Sequence, residues 1–418
     1  MLLGIGIGVS EASKRVVIIG AGHAGGSVVA FLLQYGFAGP IALIGEEPIA
    51  PYQRPPLSKA WLKGEADAES LMLKPLSFYA DNQVDLRLGV HAVAIDRTAK
   101  TVALSEGAPI AYDILVLATG ARARRLTLPG SDLKGVLELR TAADAEMLKS
   151  ALEGKGKTLA VVGGGYVGLE AAASARALGA DAVVIERESR VLARVACEPL
   201  SNFFQSYHTA KGVTFEVNAG VEGFEGKDGA VTGVRLADGR TIACTAALVG
   251  VGAIPNDEIA KSAGLECNNG VVVDASARTS DPAIFAVGDL TQRPMALYNR
   301  SVRLESVPNA LEQAKIVASV LTERPMPAPE VPWFWSDQYD LKLQIAGMPF
   351  DADQIVIRGD PANAKFAIFH LKQGCVQAVE AVNSAPEFMA GKQLVASRKP
   401  VATAKLVDMS ISMKDVAA

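Results

Sequence analysis

Val16-Val17-Ile18-Ile19-Gly20-Ala21-Gly22-His23-Ala24-Gly25 and Leu159-Ala160-Val161-Val162-Gly163-Gly164-Gly165-Tyr166-Val167-Gly168 are two versions of one pattern. In each, a short apolar run ends in glycines spaced G-x-G-x-x-G, and an alanine-rich stretch with helical character follows. Such a run predicts a buried strand, and the glycines permit a tight turn into the next helix. The turn aims backbone N–H groups and the positive end of the helix at a pyrophosphate. A single copy is a weak signal. Two copies, each with strand before and helix after, predict two dinucleotide sites in one chain.

Each copy also carries an acidic residue at the end of a second strand, Glu46 after Ile41-Ala42-Leu43-Ile44-Gly45 and Glu186 after Ala182-Val183-Val184-Ile185. A carboxylate about 20 residues past the last glycines can accept the hydroxyls of an adenosine ribose. The plain alternative is a solvated glutamate, and matching places in two matching units weigh against it. At Glu186 a carboxylate would repel a 2′-phosphate, so NADH is favoured over NADPH, a preference that Arg187 softens.

These units set the fold class as α/β, with two Rossmann-like dinucleotide-binding domains. The first unit closes on Tyr112-Asp113-Ile114-Leu115-Val116-Leu117-Ala118, and Ala118-Thr119-Gly120 lets the backbone pass close to a cofactor. The second runs to Ala246-Ala247-Leu248-Val249-Gly250-Val251-Gly252, with Gly252 assigned to the nicotinamide dinucleotide site. The first then resumes through Ile284-Phe285-Ala286-Val287-Gly288-Asp289 and a helix over Asn309 to Leu321. Beyond the proline-rich Arg324 to Pro329, Trp333-Phe334-Trp335 opens a tail with four strand-like runs and a helix from Ala385 to about Ser397. The expected domains are 1–119 with 254–328, 120–253 inserted between them, and a C-terminal α+β domain over 329–418 packed on both.

At 418 residues the chain exceeds what one core supports, in keeping with two to three domains. A formal charge of −4 gives no global attraction to nucleic acid or to an anionic membrane. No run approaches the length of a membrane span. The apolar Met1 to Val9 lacks a basic start and is expected to be a disordered extension or a misplaced start rather than a signal peptide. Cys197, Cys244, Cys267 and Cys375 lie far apart and read as small buried hydrophobes in a reducing cytoplasm. None precedes Cys197, so no early dithiol can relay electrons, which must leave a flavin directly. His23, His91, His208 and His370 show no metal spacing, and no metal centre is expected.

The first cofactor reads as FAD. Asp289 could bond a ribityl hydroxyl or sit near the pyrophosphate, against the plainer reading of a strand end. Arg54 and Arg122 are candidate phosphate or flavin-edge contacts. Lys59, in Arg54-Pro55-Pro56-Leu57-Ser58-Lys59, is the cation that could stabilise a flavin on taking a hydride, and Glu170 is the candidate carboxylate to hold it. A solvated lysine is the competing reading.

Together these segments resemble the FAD-dependent, NADH-oxidising ferredoxin reductases of bacterial monooxygenases and aromatic-ring dioxygenases. The resemblance runs from about Lys14 to the end. It rests on Arg54 to Lys59, Ala118-Thr119-Gly120-Ala121-Arg122, Gly163 to Glu170, Val251 to Asn256, Phe285 to Asp289 and Pro332-Trp333-Phe334-Trp335-Ser336-Asp337-Gln338. It implies a glutathione-reductase-type fold, a Lys59–Glu170 pair beside flavin N5, and a flavin pocket completed by Trp335. Where related chains often have Glu-Ser-Trp, this one has Glu305-Ser306-Val307, which puts aromatic stacking at position 307 in doubt. The implied sequence is NADH binding at Gly163 to Gly168, hydride transfer to FAD, and single-electron delivery to an acidic 2Fe-2S ferredoxin; the lack of an obvious exposed apolar stripe and of a dithiol-type dimer architecture favours a monomer. Arg300, Arg303, Lys392, Arg398 and Lys399 are candidate docking cations, each taken singly more often an ordinary surface charge. The rival activities are an NADH oxidase or peroxidase and a redox-sensing flavoprotein of the apoptosis-inducing-factor kind.

Overall fold

The computed structural model describes residues 14–417; the opening Met1 to Val9 stretch lies outside them. The chain divides into two compact units. One comprises the chain up to Gln53, Ala68–Arg122 and Pro255–Glu330, and the other comprises Arg54–Asp67, Ala123–Ile254 and Val331–Ala418.

The first unit is built on a parallel sheet in which Val16–Ile19 is central, flanked by Ile41–Gly45 and Ile114–Leu117, with Asp85–Leu88 and Ile284–Ala286 at the edges. All four residues of Val16–Ile19 are buried, because helices and loops cover both faces of a parallel sheet. On one face the helix His23–Gln34 buries Val28, Val29 and Leu32 against Ala310, Ala314 and Val317 of the helix Val307–Leu321. The resumed segment is thus part of the first sheet and its helical cover, as the apolar run at Ile284 to Val287 leads one to expect.

The second unit repeats the plan. Thr158–Val162 is central between Asp181–Ile185 and Ala246–Val249, with Val213–Glu216 and Val136–Leu137 at the edges. A separate five-stranded antiparallel sheet holds the tail, in the order Trp333–Gln338, Leu341–Gly347, Cys375–Val382, Lys365–Lys372, Gln354–Asp360, followed by the helix Ala385–Ser397. The tail shares its core with the parallel sheet. Leu343, Ile345, Phe366, Ile368 and Val382 pack in one cluster with Leu159, Leu169, Ala172 and Phe204. Sequence periodicity separates 120–253 from 329–418; apolar contact joins them.

The short segment Arg54–Asp67 belongs to this unit although its neighbours in sequence belong to the other. Its Leu62 is fully buried in the same cluster, and the Ser174 hydroxyl, on the helix Tyr166–Ala177, donates to the carbonyl of Ser58 at 2.7 Å. That anchoring delivers Lys59 to the fingerprint helix.

Candidate functional site

The two glycine turns match residue by residue. A Cβ on Gly20 would stand 2.2 Å from the Ala118 carbonyl oxygen, and one on Gly163 would stand 2.5 Å from that of Gly250. Both also have φ above +100°, at +113° and +108°, where L side chains are strained. Gly25 and Gly168 close their turns on the carbonyls of Gly20 and Gly163, with virtual Cβ contacts of 1.9 and 2.2 Å. Gly22 and Gly165 are the N-caps of the two helices, and neither end receives a side-chain cap. Each helix therefore presents N–H donors to an anion, and a Cβ on Gly165 would meet nothing within 4 Å. An uncapped helix start after a tight glycine turn is the shape a pyrophosphate needs, so the residues fit two dinucleotides.

The acidic partners differ. Glu46 is exposed just past its strand. Glu186 turns back onto its own glycine loop, accepting from Gly164 N–H at 2.7 Å and from Glu188 N–H at 2.9 Å. Its carboxylate thus props the second turn as well as standing beside it. Gly252 follows the Ala246–Val249 strand, its carbonyl accepting from Arg124 N–H at 2.9 Å.

In the first unit, Ala118, Thr119 and Gly120 follow the central-sheet strand Ile114–Leu117 and are held by Asn256. The Thr119 hydroxyl donates to the Asn256 carbonyl at 2.7 Å, the Asn256 amide donates back to the Thr119 carbonyl at 2.8 Å, and Asn256 N–H donates to Gly120 at 2.9 Å. Arg122 is engaged by Asn256 Oδ1 at 2.7 Å and Glu258 Oε1 at 2.6 Å, so it braces this corner. Asp289 is half-buried in the short turn Gly288–Leu290. Val307 is half-buried at the first position of its helix, after the N-cap Ser306.

In the second unit, Lys59 and Glu170 meet. Lys59 Nζ lies 2.6 Å from Glu170 Oε2, with the lysine side chain 17% exposed and the glutamate 6%. Ser58 donates to the same Oε2 at 2.5 Å, and Ser336 donates to Oε1 at 2.6 Å. Lys59 Nζ donates further to the carbonyl of Pro55 at 3.0 Å, which fixes its head from the start of its own turn. Behind Ser336 the chain continues inward, where Gln338 Nε2 donates to Ser336 Oγ at 3.0 Å and Gln338 Oε1 pairs with His208 Nε2 at 2.7 Å. Burial pushes His208 down to about 4, so it is neutral and donates from Nε2 to the amide oxygen. Trp335 neighbours Ser336 on the strand Trp333–Gln338 and lies near Trp333, ring centroids 5.7 Å apart. Arg54 NH1 donates to the Arg140 carbonyl at 2.6 Å.

Sequence reasoning passed over Ser58, Ser336, Gln338 and Asn256. All four lie inside quoted motifs, and the available signal was their place beside residues already assigned. It also expects no metal centre, whereas folding gathers Cys197, His370 and Glu380, with donor atoms within 4.8 Å of one another.

Residues 14–314 match the family described as pyridine nucleotide-disulphide oxidoreductase, and residues 333–417 match the one described as reductase C-terminal. The chain belongs to the pyridine nucleotide-disulphide oxidoreductase family. Within that family it is 52% identical over 408 residues to a probable ferredoxin reductase, CtmF, of Castellaniella defragrans, covering 97% of this chain and all of the relative. Its fold superposes on the reductase of a solved covalent putidaredoxin reductase–putidaredoxin complex with a TM-score of 0.94, at 40% identity, covering 96% of this chain and 98% of that one. The ferredoxin reductase for the CYP199A2 system from Rhodopseudomonas palustris gives a TM-score of 0.93 at 42% identity, over 97% of this chain and 100% of that one. The resemblance drawn from the motifs is therefore borne out, and with it the mixed α/β fold and an oxidoreductase role using FAD and a nicotinamide dinucleotide. No helix among the described residues is long and apolar enough to cross a membrane.

Proposed function

We propose that this chain is a cytoplasmic NADH:ferredoxin reductase, passing electrons from NADH through FAD to a 2Fe-2S ferredoxin that serves a bacterial haem monooxygenase or aromatic-ring dioxygenase. The observation that carries it is the pair of matched, uncapped glycine cradles in a chain with no cysteine before Cys197. Similarity along nearly the whole chain to reductases named for such systems supports the choice of acceptor.

In this reading Gly20, Gly22, Gly25, Glu46, Ala118, Thr119, Gly120 and Asp289 hold FAD from the first unit, and Gly163, Gly165, Gly168, Glu186 and Gly252 hold NADH in the second. Arg54, Val307 and Trp335 are the further flavin contacts in this reading, Trp335 being the one the family implies, whereas Arg122, a candidate contact from sequence, is engaged by Asn256 and Glu258. Bound FAD supplies an acceptor for an electron pair that can leave one electron at a time. Lys59 sets a positive charge where negative charge develops, and Glu170, clamped by Ser58 and Ser336, holds the ammonium in place. Arg122 acts by fixing Asn256 and the Thr119–Gly120 backbone, since Glu258 already neutralises it.

The ferredoxin is proposed to be acidic and the reductase monomeric. Arg300 and Lys399 are exposed and suit docking; Arg303 is spent on Glu305 at 2.6 Å and on the Asp289 carbonyl at 3.2 Å. Lys392 lies over the Trp333 ring, 5.4 Å from its centroid, and Arg398 donates to Gln377 at 2.7 Å.

Anaerobic mixing of the FAD-loaded protein with NADH, followed by oxidised 2Fe-2S ferredoxins, tests the proposal in a stopped-flow spectrometer. Fast flavin bleaching followed by reduction of a ferredoxin is the expected result. Fast bleaching with no transfer to several ferredoxins, but rapid reoxidation by oxygen or peroxide, would move the assignment to an oxidase.

A further inference from the structure

Cys197 caps the helix Glu198–Ala210, while His370 and Glu380 sit on the adjacent strands Lys365–Lys372 and Cys375–Val382, all within the second unit. Cys197 Sγ donates to Glu380 Oε2 at 2.8 Å, and Cys197 N–H reaches Oε1 at 3.3 Å. His370 Nε2 lies 3.1 Å from the same Oε2. At that distance it still makes no hydrogen bond, because the approach is not aligned for one, and this buried ring nitrogen is left without a hydrogen-bond partner. His370 is 3% exposed and Glu380 2% exposed, and among the described residues no lysine or arginine pairs with that carboxylate. A buried carboxylate without a fixed cation is costly, as is a buried polar nitrogen left beside it with no bond. A cation placed among the three donor atoms would satisfy both.

We propose that Cys197, His370 and Glu380 form a binding site for a thiophilic divalent cation of the zinc class, held by thiolate, imidazole and carboxylate. The donor set selects the metal, since calcium and magnesium take oxygen ligands whereas zinc accepts sulfur, nitrogen and oxygen together. Zinc bonds of about 2.0 to 2.3 Å in tetrahedral array set neighbouring donor atoms roughly 3.3 to 3.8 Å apart. The 2.8 and 3.1 Å separations therefore have to open by less than about 1 Å, within side-chain adjustment. The Cys197 thiol donates to Glu380 Oε2, so a metal has to displace that proton to bind. On binding, the S–H bond breaks, the proton leaves to solvent and the S–metal bond forms, with no electron transferred. Cys197 is half-buried, which provides the entry path. The metal would tie the start of the Glu198–Ala210 helix to the C-terminal sheet, a clamp separate from the dinucleotide chemistry.

The test uses the FAD-loaded protein, stripped with chelator and then dialysed to equilibrium against low-micromolar zinc chloride, with bound metal read by plasma mass spectrometry. About one zinc per chain is expected. Cys197→Ser and His370→Gln should lose it while keeping the bound-flavin spectrum that shows them folded. On the unmutated chain, zinc should slow alkylation of Cys197 by iodoacetamide, mapped by peptide mass, and leave that of half-buried Cys267 unchanged. No uptake by the unmutated chain, equal uptake by Cys197→Ser, or unaltered alkylation of Cys197 would each overturn the proposal.

Discussion

Replacing Ser336 with alanine should loosen the Glu170 carboxylate more than replacing Ser58 does. The two oxygens of Glu170 are held unequally: Oε2 receives Lys59 at 2.6 Å and Ser58 at 2.5 Å, whereas Oε1 receives Ser336 at 2.6 Å. Ser336 is 1% exposed, so alanine removes a buried hydrogen bond to a charged group, a loss of about 1.5 to 3 kcal/mol. It also strips Gln338 Nε2 of its acceptor at 3.0 Å, adding about 1 kcal/mol, of which an entering water would recover part. The sum is about 2 to 4 kcal/mol, against about 1 to 2 kcal/mol for Ser58→Ala, where Lys59 still satisfies Oε2. Since the chain has two compact units, a single unfolding free energy is not the right readout. Hydrogen-exchange protection of the Tyr166–Ala177 helix, which carries Glu170, reports the local change. The rate of flavin bleaching by NADH should fall in the same order, because a mobile carboxylate no longer holds Lys59. Protection unchanged within about 0.5 kcal/mol for Ser336→Ala, or a larger loss for Ser58→Ala, would refute the clamp.

Gly165→Ala should fold with a stability change within about 1 kcal/mol, since its Cβ meets open space, yet lose NADH binding in equilibrium titration because that space belongs to the pyrophosphate. Equal affinity for variant and parent would remove Gly165 from the site. Glu186→Ala should weaken NADH far more than NADPH, and should also lower protection at Gly164, whose N–H it accepts at 2.7 Å; equal losses for the two nucleotides would end its ribose role. Lys59→Ala should slow flavin bleaching at saturating NADH, and an unchanged rate would end the role given to its ammonium. His208 titrates near 6.5 when unfolded and at about 4 when folded, because burial disfavours its charged form. The associated stability is present above 6.5 and is lost as pH falls from there towards 4, by about 3 kcal/mol. In His208→Gln that part of the acid sensitivity should disappear from the hydrogen-exchange protection of the helix Glu198–Ala210, and the same pH dependence for variant and parent between pH 7 and 4 would contradict it.

The dinucleotide scaffold was legible because its constraints are local. Gly20 and Gly163 have to be glycine where a Cβ would strike a neighbouring carbonyl, and buried parallel strands have to be apolar on both faces, so Val16–Ile19 and Thr158–Val162 declare themselves. The strands of the tail were legible for the same reason. What escaped depends on which faces share a core. Nothing in the spacing of Leu343 and Phe366 says that they pack with Leu169 and Ala172, so the shared apolar cluster of the tail and the second dinucleotide sheet was not legible. Likewise Ser336 carries no mark of its partner in a strand-like stretch, and becomes functional only because that packing sets it 2.6 Å from Glu170.

The same packing explains why the candidate metal ligands look scattered as a sequence. Metal motifs are recognisable when ligands sit on one turn or one hairpin, where spacing carries the geometry. Here two ligands, His370 and Glu380, lie on the two arms of one hairpin, where Glu380 pairs in register with Ile368 and His370 with Ala378, but the third, Cys197, starts a helix far away in sequence, so no spacing relates it to them. Lys59 and Glu170 meet by the same route, through a fourteen-residue segment, Arg54–Asp67, that leaves the first unit to pack its Leu62 into the second. A change that unseats Leu62 should therefore act on the Lys59–Glu170 pair without touching either residue. Leu62→Ala, at a fully buried site, costs about 2 to 5 kcal/mol. If flavin bleaching slows while NADH affinity holds, the segment's anchoring positions the lysine; if the rate is untouched, Ser58 and Ser174 alone suffice to hold it.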